Sequence, residues 1–407
     1  ELAMTAGGAA LAALYAEELK AAAELAKRAI EAGARDPSTT KGVAVARIVE
    51  SIVSLRLGQL EKATQTSDET LESVSSRLGV RHEAFIDVTQ LVGGLWHRNG
   101  QPVQAVRYLE QALTAATDAL GVGHAKTVNI ALDLIRSRLA AGQRDEAVAA
   151  LSQLSVSSEA NPLLNAKFQR TQALMAAASN DYAAAIELMM DANEITEQVL
   201  GPKHLTHALG IVQLSGLQVE NGQASEAEPA LRRALSTLEG SLGKNHVSLT
   251  PTLGYLGSAN VALGRIGSAA SYFDRQLKSL ENAFGKTSGR LEPVLINLAE
   301  LQVRTNQMKN AIVNLRRAVE ITRNEDQGLS TVRVANASAR LAAALIHIEQ
   351  FAEANALYGE ALEVYDRELE ADDPRVVETL RSLAALSLLQ GDHEAAHKLM
   401  DRVPASG

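Results

Sequence analysis

The chain of 407 residues contains no cysteine, which excludes disulfides and cysteine-ligated metal but leaves the compartment open. Aromatic residues are scarce at 3%, although 46% of the residues are hydrophobic. Alanine and leucine supply most of that apolar content, so the core has to form by close approach of helices over small side chains. No run of about 18 apolar residues occurs, so no membrane span is expected. The apolar stretch Ala9–Leu14 lacks basic flanks and runs into Glu17 and Glu18, so it reads as a helix and not as a signal peptide. A cytoplasmic protein is the expectation. Runs of Lys and Arg are missing too: the formal net charge is −9 with both signs interspersed, which argues against a nucleic-acid partner. No linker divides the chain, yet it is too long for one compact core.

What the chain does have is a repeat. A turn residue followed five positions later by alanine recurs at Gly58, Gly100, Gly142, Asn180, Gly222, Gly264, Asn306, Glu349 and Gly391, with successive spacings of 42, 42, 38, 42, 42, 42, 43 and 42. The alanines are Ala63, Ala105, Ala147, Ala185, Ala227, Ala269, Ala311, Ala354 and Ala396. A period in this range marks stacked units that bury surface only against their neighbours. Seven before the slot there is usually a small residue, as at Ser51, Gly93, Ala173, Ser215, Gly257 and Ala299, with Ile135 departing from the rule. Eight before it there is usually a large aliphatic, as at Val92, Leu134, Leu214, Leu256 and Leu298. Apolar spacing on both sides of the slot is helical, so the unit is two antiparallel helices joined by a tight turn. A second phrase, Leu-Gly…His, recurs at Leu78-Gly79…His82, Leu120-Gly121…His124, Leu200-Gly201…His204 and Leu242-Gly243…His246. Its glycine is expected to end a helix in the left-handed conformation.

These residues resemble the tetratricopeptide repeat, in the long form of about 42 residues seen in kinesin light chains and many bacterial proteins. The resemblance covers residues 40–403, with 1–39 as a weak N-terminal helical unit and 404–407 as a tail. It implies an all-α, right-handed superhelical solenoid of nine to ten helix pairs. It departs from kinesin light chains in having no heptad coiled coil ahead of the repeats. Between Gly142 and Asn180 the unit is four residues short and lacks the Leu-Gly…His phrase, which predicts a change of pitch around Ser155–Pro162.

Several motifs suggest chemistry. His393-Glu394-Ala395-Ala396-His397 has the form of a helix-borne zinc site, but Ala396 is the repeat's own alanine, and the residues that follow offer Asp401 but no His or Glu as a third ligand. A zinc hydrolase is therefore the third reading, and no cofactor or metal is expected. The loop histidines share one slot on successive units, so repetition accounts for them. Gly285-Lys286-Thr287 lacks the earlier glycine of a phosphate loop. Trp96 falls where such repeats pack an aromatic residue between helices.

The resemblance also implies that first helices line a concave groove, through positions 13, 10, 9, 6, 3 and 2 before the turn slot. The candidates there are Asp133, Arg136, Gln213, Tyr255, Asn297, Glu300, Arg304, Arg340 and Arg381. Asn297 and Arg340 would hold a peptide amide and a carboxylate respectively. The expected function is a non-catalytic scaffold for a protein or extended peptide, serving as the docking or sensing segment of a larger bacterial regulator. The alternative is a switch whose superhelix changes pitch when a signalling peptide binds.

Overall fold

The computed structural model describes residues 2–15, 18–33, 40–154, 161–325 and 330–404, with the side chains of 2–5 left aside. Among them every regular element is helical. The packing divides the chain into two units, 1–246 and 247–407. The first contains α1 (Leu2–Tyr15), α2 (Leu19–Gly33), α3 (Thr40–Arg56), α4 (Leu60–Leu78), α5 (Glu83–Arg98), α6 (Pro102–Leu120), α7 (Ala125–Ala140), α8 (Arg144–Ser152), α9 (Pro162–Ala178), α10 (Tyr182–Leu200), α11 (Leu205–Glu220) and α12 (Ala224–Leu242). The second contains α13 (Thr250–Ala262), α14 (Ile266–Phe284), α15 (Glu292–Arg304), α16 (Met308–Glu325), α17 (Val332–Ile346), α18 (Phe351–Glu368), α19 (Pro374–Leu389) and α20 (His393–Asp401), with single 3₁₀ turns ahead of α13 and α15. Each odd-numbered helix packs on the even-numbered helix that follows it, giving ten hairpins.

The turn slots explain where the hairpins reverse. All nine hold positive φ, from 58° at Asn306 to 81° at Gly391. In each, the N–H after the slot reaches back to a carbonyl five residues earlier, as Gln59 to Ser54 at 3.0 Å and Gln101 to Trp96 at 3.0 Å. The slot N–H itself bonds three residues back, as Gly58 to Leu55 at 3.0 Å. This pair of bonds satisfies carbonyls that the helix end leaves open. Six slots are glycine because a β-carbon disfavours this conformation, and Asn tolerates it; Glu349 occupies it at φ 60° against that preference.

The alanine five residues on is the closest point of the hairpin. Eight of the nine are 0% exposed, and Ala396 is 4% exposed. Across from it, the small slot is equally constrained: a β-carbon on Gly257 would stand 2.3 Å from Phe273, and one on Gly93 would stand 2.5 Å from Leu109. Trp96 is fully buried, donates to Ser67 Oγ and lies against Tyr108. The buried side chains form successive local clusters, each spanning a few neighbouring hairpins.

The second linkers differ from the sequence expectation in one respect. Their glycines do end helices with φ of 81–88°, but ψ of 152–169° carries them beyond the left-handed helical region. That extended mirror conformation is open in practice to glycine alone. The histidine three residues later then caps the next helix. Nδ1 of His82, His124 and His204 accepts the N–H two residues on, at 3.1, 3.2 and 3.1 Å. Asp373 does the same work for α19, accepting from Arg375 N–H at 2.9 Å, and Thr331 for α17. Most of the segment expected to change pitch, around Ser155–Pro162, lies outside the described residues.

Candidate binding faces on the first helices

In residues 1–246 the first helices are tied to one another by polar side chains. Lys41 on α3 and Lys126 on α7 both pair with Asp87 on α5, and Lys126 also reaches Glu83 at 3.1 Å. Burial alone would raise the Asp87 carboxyl, but hydrogen bonds from Lys126 and Lys41 hold it below its usual range. One hairpin further along, Asp133 on α7 accepts from Gln90 Nε2 at 3.0 Å and pairs with Lys167 Nζ of α9 at 2.6 Å. Arg56 donates to Asn99 at 2.9 Å, and His97 Nδ1 lies 3.0 Å from Ser137 Oγ. Burial and the neighbouring Arg136 push the His97 pKa below 6.5. A cavity of about 420 Å³ opens on this face, lined in part by His97, Asp133 and Arg136.

Residues 247–407 present a different face. Here α15, α17 and α19, with Leu315 of α16 and Tyr358 of α18, line an open cavity of about 500 Å³. Its apolar surface includes Val303, Leu315, Ala343 and Tyr358, and its polar rim is Glu300, Arg304, Arg340, Arg375 and Glu378. Arg340 pairs with Glu300 across α17 and α15. Arg375 is held by Asp373 through two bonds, 2.9 and 2.7 Å. Arg304 is different: among the described residues no hydrogen bond or ion pair engages its side chain. Beside the cavity, burial raises the Tyr365 hydroxyl to about 12, and it donates to Asn336 at 2.8 Å.

The nine candidate positions therefore separate. Glu300, Arg304 and Arg340 share the cavity on α15, α17 and α19, while Asp133 and Arg136 share the one on α5 and α7. Arg381 lies in a shallow depression on α19 with Ser382 and Val377. Gln213, Tyr255 and Asn297 are half-buried on α11, α13 and α15 and line neither cavity. Sequence reasoning passed over Lys167 and Arg170, although they stand 13 and 10 before Asn180 and so satisfy the same positional rule. It also passed over Arg375, which lies in the first turn of α19.

His393 and His397 lie on α20, where His397 Nδ1 is 2.9 Å from Asp401 and both side chains of that pair are exposed. Among the described residues no three His, Cys, Asp or Glu side chains gather as a metal site would require. No helix among them is long and apolar enough to cross a membrane.

Residues 333–403 match the family model of the tetratricopeptide repeat. No curated protein matches the chain. Among solved structures, a signal transduction ATPase with numerous domains from Pyrococcus horikoshii, which carries a tetratricopeptide repeat sensor, is similar over 89% of this chain at 13% identity and a TM-score of 0.56. The chain spans 52% of that protein's length. BtubC from P. vanneervenii is similar over 55% of this chain and 89% of its own, at 20% identity and a TM-score of 0.45. A putative kinesin light chain repeat protein from Podosopora anserina covers 49% of this chain and 94% of its own, at 19% identity and a TM-score of 0.43. The matched segment, the ninefold register and the fold shared with the Pyrococcus protein make this chain a protein of stacked tetratricopeptide-type hairpins.

Proposed function

We propose that the chain is a peptide-binding scaffold whose working face is the cavity on α15, α17 and α19. The supporting observation is the combination found there: an apolar floor about the size of one or two side chains, beside the uncommitted guanidinium of Arg304. An extended peptide would place an aliphatic side chain over Leu315 and Tyr358 and a carboxylate against Arg304. Arg340 would join it by turning from Glu300, exchanging one carboxylate for another. The repeats of the Pyrococcus protein are described as a sensor, and we extend a docking or sensing role to this chain as part of the same reading.

Selection from a random-peptide display library on the full chain tests it. Enriched peptides should carry an acidic residue next to an aliphatic one. The best of them should bind Arg304→Ala/Arg340→Ala at least about tenfold more weakly, with helicity unchanged. Equal binding to the double variant would remove this face from consideration.

A further inference from the structure

Tyr15 is the only aromatic residue ahead of Phe85, and it is not spent on the core. Helix α1 packs on α2 and α3, and Leu14 is 1% exposed there, whereas Tyr15 is 41% exposed. Its side chain turns instead to the face of α5. The ring lies beneath the Arg98 guanidinium, whose central carbon is 5.2 Å from the ring centre. Tyr15 thereby lines the cavity of about 420 Å³ on α5 and α7. Its main chain is held from another side: the Tyr15 carbonyl accepts from His246 Nε2 at 2.8 Å, across 231 positions of sequence. One residue at the end of α1 thus touches the third hairpin and the segment that follows the sixth.

The cavity runs along one side of α5, which contributes Asp87, Gln90, Leu91, Gly94, His97 and Arg98. Asp87 is committed to Lys41 and Lys126, and Gln90 to Asp133. What the face offers a visitor is therefore the Leu91 side chain, bare backbone at Gly94 and the Arg98 guanidinium. A β-carbon at Gly94 would meet nothing within 4 Å, so the cavity is open at that point in the middle of the helix. Glycine there carries its ordinary helical cost and leaves room for a flat ring. An apolar seat under a guanidinium suits an aromatic side chain, which buries its faces and attracts the cation. The two holds on Tyr15 stand toward solvent, since Arg98 is exposed and His246 half-buried. They can be exchanged for a partner's contacts without unpacking α1 from α2 and α3.

We propose that Tyr15 is an internal occupant of a docking surface on α5 and α7, and that the partner which displaces it is a peptide presenting an aromatic side chain. The chemistry of that partner is read from the residue already seated there. Because Tyr15 is tethered, its effective concentration at the face is on the order of millimolar, so a weak peptide gains access only when the ring is withdrawn or outcompeted. This surface needs no carboxylate on its ligand and shares no residue with the cavity on α15, α17 and α19, so the two proposals fail separately.

Saturation-transfer NMR on the full chain tests this, with the capped tetrapeptide Ala-Leu-Tyr-Ala, the sequence of residues 13–16, as probe. Tyr15→Ala should raise the saturation reaching the peptide at least about threefold over the wild-type chain, with helicity unchanged. The same peptide with leucine in place of its tyrosine should show no such rise. Adding Gly94→Leu to Tyr15→Ala puts a side chain into the open part of the cavity and should return the signal to the wild-type level or below. Should that double variant lose helicity by circular dichroism, Arg98→Gln added to Tyr15→Ala takes its place, with the same result expected. Equal transfer with the wild-type chain and Tyr15→Ala, an equal rise for the leucine peptide, or a rise that survives the second substitution would overturn the proposal.

Discussion

Residues 1–246 and 247–407 use the same hairpin for different ends. In the first unit the charged positions on first helices are largely spent on one another, from Lys41 through Asp87 and Lys126 to Asp133 and Lys167. In the second, Arg333–Glu292 and Arg340–Glu300 join first helices, while pairs such as Arg316–Glu353, Arg323–Glu360 and Arg402–Asp366, at 2.7–2.8 Å, run between second helices. The first helices there keep an apolar-floored cavity with Arg304 uncommitted. Exposed pairs of this kind contribute about 0–1 kcal/mol each, so the contrast concerns the availability of a surface more than stability. The skeleton is common, and the positions it leaves free decide what each unit can hold.

If the skeleton is common, overpacking it should cost both units alike. Ala227→Leu on α12 and Ala311→Leu on α16 each replace a fully buried alanine and should each lose about 1–3 kcal/mol in denaturant unfolding. A loss in one unit alone would mean that the alanine slot is not equivalent in the two. A smaller effect, of opposite sign, is expected at Glu349. Its φ of 60° suits glycine, so Glu349→Gly should stabilise the chain by up to about 1 kcal/mol, whereas Gly222→Ala in the first unit should destabilise it. A melting temperature unmoved by both would show that the reversals are not set by this conformation.

The smallest effect concerns pH and belongs to the first unit. The folded-state pKa of His97 lies below the ordinary 6.5, so between the two values the unfolded chain binds more protons. The stability involved is fully present above 6.5 and is lost as the pH falls below it. Replacing the imidazole by His97→Gln should therefore shrink the fall in melting temperature between about pH 7.5 and 5.5. An unchanged or larger fall would contradict the burial of a neutral imidazole beside Arg136.

The sequence made the skeleton legible because its constraints are local and repeat. A positive φ selects Gly or Asn at eight of the nine turn slots, at nearly constant spacing, and a 2.3 Å approach like that at Gly257 admits no side chain at that position. The site was only partly legible. Arg304 and Arg340 follow from position along the first helix, but that Arg340 meets Glu300 while Arg304 meets nothing depends on the residue presented one repeat away. Lys167 and Arg170 were readable by the same rule and were obscured by the shortened unit around them. The loop histidines illustrate the reverse case. Their recurrence was plain, and their capping of the next helix through Nδ1 became visible only in the fold, because histidine is not among the residues that usually cap.

Residue-resolved hydrogen exchange on the full chain, with and without the selected peptide, tests the contrast between the units most directly. Added protection is expected within α15 to α19, with α5, α7 and α9 exchanging as in the free chain. Protection centred on α5 to α9, or spread evenly over all first helices, would contradict it.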